Sequence, residues 1–177
     1  MPPHPVFTVG HSNRTLDDFL AMLRSVGVDC VADVRRFPRS RANPAFNIDT
    51  LPTALAEVQI AYRQFPDLGG RRAHQSGIDP SINGFWTHAS FHNYADFALT
   101  EPFAAALDDL VALCESRTCA LMCSEAVWWR CHRRIIADYL LARGFEVRHL
   151  MGEGRADPAS LTPGAVITPE RTVTYPA

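Results

Sequence analysis

The chain contains no lysine: all 17 of its basic residues are arginine. A lysine Schiff base and a lysine general base are therefore excluded. Any bound anion must instead meet planar, permanently charged guanidinium groups, which suit phosphate and carboxylate geometry. Nor is there a run of about 18 apolar residues, so no membrane-spanning segment is expected. Met1-Pro2-Pro3-His4-Pro5 lacks the basic n-region and apolar h-region of a signal peptide. The 5 cysteines are odd in number and irregular in spacing, unlike a disulfide framework, and a reducing cytoplasm is the expected location. There is no Walker loop, no dinucleotide glycine fingerprint and no Gly-x-Ser-x-Gly elbow. Nucleotide hydrolysis, hydride transfer and serine esterase chemistry thus lack motif support.

What is present fits one domain of ordinary size. At 177 residues and 47% hydrophobic content the chain is long and apolar enough to bury a core. Its net charge of −2 argues against a broad, non-specific nucleic-acid surface. Val6 to Gly10 reads as a first buried strand, followed by a helix that Thr15 and Asp18 start and Gly27 ends. Cys30 to Val34 is a second strand, on which Asp33 and Arg35 project to the same side. A polar loop runs from Arg35 to Pro44, and a short helix with Pro52 in its first turn follows Asp49 or Thr50. Ile60 to Phe65 is a third strand, and Pro66 to His92 reads as a long irregular loop. Thr100-Glu101-Pro102 opens a helix with Phe103, Leu107, Leu110 and Leu113 or Cys114 on one face. A fourth strand, a helix ending at Gly144 and a fifth strand over Phe145 to Leu150 complete the pattern. Strands alternating with helices predict an α/β fold: a single domain with a mostly parallel sheet of about five strands and helices on both faces. Residues 1–150 would form the domain carrying the site. Residues 151–177 would be an irregular C-terminal tail packed on it, with a short hairpin near Val166 and Val173.

One stretch concentrates chemistry. The apolar run Cys119-Ala120-Leu121-Met122 stops at Cys123, Ser124 and Glu125, and Cys131, His132, Arg133 and Arg134 then open a helix. In an α/β protein, ligands collect outside the carboxyl ends of the strands. Cys123 is either a nucleophile at a strand end or a small residue closing the core. Cys131 lies near a helix N-terminus beside Arg130, His132 and Arg133, an environment that favours thiolate; an inward-facing core cysteine is the alternative. Glu125 and His132 are candidates for acid–base work; for Glu125 the alternative is a simple pair with a neighbouring arginine. Asp33 binds substrate or orients Arg35 or His11, and His11 should sit on the rim. Cys123, Cys131 and His132 are the residues a metal would use, but Cys-x7-Cys-His matches no regular zinc spacing, and Cys119 lies roughly 13 Å along the strand. No cofactor is expected.

Arginines cluster after the second strand (Arg35, Arg36, Arg39, Arg41), after the third (Arg71, Arg72) and after the fourth (Arg130, Arg133, Arg134). Parallel strands end on one side, so the clusters are predicted to converge on one rim. Arg35, Arg39, Arg41, Arg71 and Arg133 are the expected anion binders, with Asn43 and Gly70 beside them. Gly69-Gly70 alone is a weak phosphate-loop signal. Phe37, Trp86, Trp128 and Trp129 either stack on bases or pack.

Five segments resemble the family known as domain of unknown function 488. They are Thr8-Val9-Gly10-His11-Ser12, Asp33 to Ser40, Asn43-Pro44-Ala45-Phe46, Leu68-Gly69-Gly70-Arg71, and Met122 to Glu125 with Cys131-His132-Arg133. The resemblance implies an α/β domain with a shared polar site and names no reaction. A weaker likeness, at the level of topology, is to rhodanese-type sulfurtransferases: a strand ending Asp-Val-Arg, and a later strand ending in cysteine before a basic loop and helix. Here that loop is longer and lacks a compact glycine-containing cradle, which speaks against persulfide chemistry. The expected function is an enzyme acting on a small anionic substrate, phosphorylated or nucleotide-like. Cysteine-based sulfur or acyl transfer and a non-catalytic nucleic-acid or nucleotide binding module are the alternatives.

Overall fold

The computed structural model describes residues 4–177. The reading of Met1-Pro2-Pro3 as no part of a signal peptide lies outside the described residues. The chain folds as a six-stranded sheet in the order β3-β2-β4-β1-β5-β6, built from β1 (Val6–Gly10), β2 (Cys30–Asp33), β3 (Ala61–Gln64), β4 (Cys119–Cys123), β5 (Val147–Gly152) and β6 (Arg155–Pro158). The first five strands are parallel, and β6 returns antiparallel on β5.

Alternation along the strands sends side chains to two separate cores. Cys30, Ala32, Cys119, Leu121 and Cys123 face one side, where α3 (Ala89–Phe97), α4 (Glu101–Ser116) and α5 (Arg133–Ala142) pack. Phe7, Val9, Val31, Ala120 and Met122 face the other, against α1 (Leu16–Ser25) and α2 (Leu51–Ala56). Both faces are therefore apolar, which is why the central strands read as continuous hydrophobic runs. The Thr15 hydroxyl caps α1 by accepting from the Asp18 amide at 3.1 Å.

The order of connections creates the site. From β1 the chain turns to α1 on one face, while from the adjacent β4 it turns to α5 on the other. Where neighbouring strands send their helices to opposite faces, a crevice opens at their carboxyl ends. His11 leaves β1 at this point and Cys123 ends β4. The ladder continues past the strands, since the His11 and Ser12 amides donate to the Cys123 and Ser124 carbonyls at 2.9 and 3.0 Å.

Two regions differ from expectation. The stretch from Pro66 to His92 is not wholly irregular: 3-10 turns form over Pro66–Leu68 and Pro80–Asn83, and α3 starts at Ala89. Its Ser, His and Asn residues are weak helix formers, and tertiary contacts hold it: the Tyr94 hydroxyl donates to the Leu68 carbonyl at 2.7 Å. Within residues 151–177, β6 adds a sixth strand that was not expected, whereas the expected hairpin near Val166 and Val173 is present as β7 (Val166–Ile167) paired with β8 (Val173–Thr174). Tyr175 is fully buried, and its hydroxyl donates to Asp138 at 2.7 Å. Among the described residues no helix is long and apolar enough to cross a membrane.

Candidate functional site

A cavity of about 430 Å³ opens over the ends of β1, β2 and β4. It is lined by Cys123, Ser124, Glu125, Cys131 and His132 together with Arg35, Arg36, Arg39, Arg71 and Arg130; Ser124 and Glu125 are exposed and Arg35 is buried. Arginines from all three loop clusters therefore meet at one opening. Close backbone approaches shape it. A Cβ on Gly10 would lie 1.8 Å from the Glu125 carbonyl oxygen, so only glycine lets the 124–126 segment cross β1. A Cβ on Gly69 would meet the Arg36 backbone at 2.4 Å, which presses the two arginine loops together. Arg71 takes a left-handed φ of 59°, costly for a residue with a side chain, and its carbonyl accepts from Arg36 at 2.9 Å.

The sulfur atoms of Cys123 and Cys131 lie 2.7 Å apart, one at the end of β4 and one just before α5. His132 lies beside them. Its Nε2 faces the Val34 carbonyl at 2.7 Å, so that nitrogen carries the hydrogen. Its Nδ1 then presents a lone pair to Cys131 Sγ at 3.4 Å, as a base does to a nucleophile. Burial is the largest influence on the imidazole and holds it below its ordinary pKa.

Arg133 lies beneath this pair and is completely buried. It donates to Cys123 Sγ at 2.6 Å, to the Glu125 and Ala126 carbonyls, and through Nε to Thr8 Oγ1 at 3.2 Å. Among the described residues no carboxylate pairs with it. A buried cation without a counter-ion is very costly, and the acidic groups in contact with it are thiols. Burial is the largest influence on Cys131 and opposes its ionisation. The hydrogen bond from Cys123 and the nearby Arg133 outweigh it, and Cys131 lies below the ordinary thiol value. Burial and the neighbouring sulfur push Cys123 well up. The two thiols are thus pulled in opposite directions, Cys131 down and Cys123 up.

Asp33 and His11 are both engaged with Arg35. Asp33 is fully buried outside the cavity lining and grips Arg35 in a bidentate pair at 2.9 and 2.8 Å. His11 donates from Nδ1 to the Ser12 carbonyl at 2.9 Å, so Nε2 accepts from Arg35 at 3.3 Å. Its ring stacks on Phe46, and burial lowers its pKa. With the Phe46 carbonyl also bound, Arg35 has one N–H of five left for a ligand. Gly70 abuts the His132 ring, where a Cβ would stand 2.9 Å from Nδ1. Glu125 lines the cavity and forms no ion pair among the described residues.

The family model of the domain of unknown function DUF488 matches residues 15–140. The chain belongs to the DUF488 family. Nothing among curated proteins or solved structures matches it, rhodanese-type sulfurtransferases included. In this DUF488 chain the matched region contains both sulfurs, His132 and the rim arginines, while Gly10 and His11 precede it.

Some expected residues stand elsewhere. Arg133, expected to bind an anion, turns inward, because it shares a helical face with Ile136 and Leu140, both fully buried. Arg41 and Asn43 do not line the cavity. Arg39 does, but it is exposed and paired with Asp49. Trp86 stacks on Phe91, and Trp128 stacks on His149, so both are taken up in packing. Ser90, Phe91 and Tyr94 line the cavity from the unrecognised α3; the Phe91–Tyr94 spacing of three residues, continued at Phe97, is a signal that would have found them. Among the described residues no group of three or more His, Cys, Asp or Glu side chains could hold a metal ion.

Proposed function

We propose that this protein is an enzyme that applies a thiolate to a small anionic substrate, phosphorylated or nucleotide-like. One observation carries the proposal: Arg133, buried without a carboxylate, donates to Cys123 Sγ at 2.6 Å, and Cys123 shares a cavity with Cys131 and the arginine rim. The counter-charge required by the guanidinium is one negative charge on the two sulfurs. Cys131, adjacent to His132 and the less buried of the pair, is the attacking sulfur, and His132 Nδ1 takes and returns a proton. Glu125, exposed on the cavity lining, is the second proton carrier. Arg36, Arg71 and Arg130, which make no ion pair among the described residues, hold the substrate's charged group, and Arg35 contributes its remaining N–H. Sulfur and acyl transfer fall within the same thiolate chemistry. Five unpaired cysteines support action in a reducing compartment such as the cytoplasm.

Paired alkylating reagents test the proposal. A thiolate repels anionic iodoacetate and not neutral iodoacetamide. An arginine rim reverses that order at Cys131, and the reversal disappears in an Arg36→Gln, Arg71→Gln double variant or in excess inorganic phosphate. If Cys131 reacts with both reagents only in the alkaline range of an ordinary thiol, the proposal fails.

A further inference from the structure

We infer that Cys131 and Cys123 close into a reversible disulfide when the cavity admits a hydroperoxide, with Cys131 oxidised first and Cys123 as the resolving thiol. This rests on the thiolate proposed for the pair and adds a second chemistry to it. The sulfurs lie 2.7 Å apart on two different elements and face one cavity, so closure requires no large rearrangement. No other thiol competes. Cys30, Cys114 and Cys119 are buried and absent from the cavity wall, and Cys119 lies roughly 13 Å back along β4 from Cys123.

The steps balance. The Cys131 thiolate attacks the terminal oxygen of the hydroperoxide, the O–O bond breaks, and alkoxide or hydroxide leaves and takes up a proton. Cys131 is now a sulfenic acid. The Cys123 sulfur attacks it, the S–S bond forms, the S–O bond breaks, and the hydroxyl leaves with the Cys123 proton as water. Overall two thiols and one hydroperoxide give a disulfide, an alcohol or water, and a further water. Two molecules of a small thiol reverse it through a mixed disulfide, themselves becoming oxidised.

Closure also withdraws the anion facing Arg133. The guanidinium then keeps only the Thr8 hydroxyl and the Glu125 and Ala126 carbonyls. A disulfide sulfur is a far weaker partner for a buried cation than a thiolate, so oxidation disables the nucleophile and loosens the segment between the two cysteines. An anion seated in the arginine rim would shield the thiols from the peroxide.

The full chain is treated with one equivalent of hydrogen peroxide at neutral pH, then followed by intact mass and peptide mapping. A second portion is alkylated with iodoacetamide at mildly acidic pH. The expected result is loss of two hydrogens and a Cys123–Cys131 cross-linked peptide, restored to thiols by dithiothreitol and slowed by inorganic phosphate. In Cys123→Ser, Cys131 gains oxygen atoms and does not close. Rapid acidic alkylation of Cys131 without a cross-link overturns the disulfide and leaves the thiolate standing. Neither alkylation nor oxidation overturns both. A cross-link to Cys30, Cys114 or Cys119 overturns the assignment of Cys123. The wild-type mapping decides the matter even if the serine variant fails to fold.

Discussion

Acid should destabilise this fold through one histidine. His149 is buried, with Nδ1 2.6 Å from Thr8 Oγ1 and its ring stacked on Trp128 at 4.3 Å. Burial first, and the Arg133 charge second, push its pKa down to about 4, with Asp157 opposing. In the unfolded chain the imidazole titrates near its ordinary value of about 6.5. Between those two values the unfolded chain binds a proton that the folded chain refuses, so stability falls as the pH falls. The contribution is intact above about pH 6.5 and is lost progressively as the pH drops towards 4. Integrating the linkage from pH 7 to pH 4.5 gives a loss of about 2 kcal/mol. Urea unfolding followed by tryptophan fluorescence, at both pH values, measures it. His149→Gln keeps a hydrogen-bonding group but cannot titrate, so subtracting its pH response removes the carboxylate contributions. Wild type should lose about 2 kcal/mol more than the variant over that interval. Equal losses in the two proteins would refute the reasoning.

Gly10→Ala drives a Cβ into the Glu125 carbonyl. The clash is with backbone, so destabilisation above about 3 kcal/mol is expected in denaturant unfolding. Gly70→Ala meets the His132 ring instead; global stability should change by less than about 1.5 kcal/mol while Cys131 alkylation slows, because the base is displaced. Arg133→Met keeps the stem and removes the cation. Charges in contact at an effective dielectric of about 20 interact by several kcal/mol, so alkylation at mildly acidic pH should slow by at least about tenfold. Tyr175→Phe removes the hydroxyl that donates to the buried Asp138, whose carboxyl burial already holds above its usual range, and leaves Thr162 as its remaining hydrogen-bond partner. A loss of about 1–3 kcal/mol in thermal or urea unfolding is the expected outcome.

The sheet was legible because a strand covered on both faces must be largely apolar: Cys30 to Ala32 and Cys119 to Met122 are unbroken apolar runs, and Val6 to Val9 is interrupted by Thr8 alone. The convergence of the arginines followed from topology alone, since parallel strands release their loops on one side. Less was legible where local pattern and packing disagree. Arg133 and Arg134 are identical in type, yet helix phase sends one beneath the thiols and the other towards Thr162 and Trp86. Reading the phase from Ile136 and Leu140 would have separated them. Helix α3 escaped because its helix formers are weak and its anchor, the Tyr94 hydroxyl on Leu68, is a tertiary contact. Edge strand β6 was signalled by Gly152-Glu153-Gly154, a turn between Val147–Gly152 and Arg155–Pro158. The proximity of Cys123 and Cys131 had no signature, because an eight-residue separation across a loop does not set a distance.

The central claim is that the two sulfurs carry one negative charge opposite Arg133 at neutral pH. Thiolate ultraviolet absorbance measured against pH tests it most directly, taken as the difference between wild type and a Cys123→Ser, Cys131→Ser double variant. One thiolate already present at pH 7, with the second appearing only in strong alkali, is the predicted difference. A difference spectrum that stays empty until the pH passes the ordinary thiol value of about 8.5 would contradict it, leaving Arg133 buried with no anion to face.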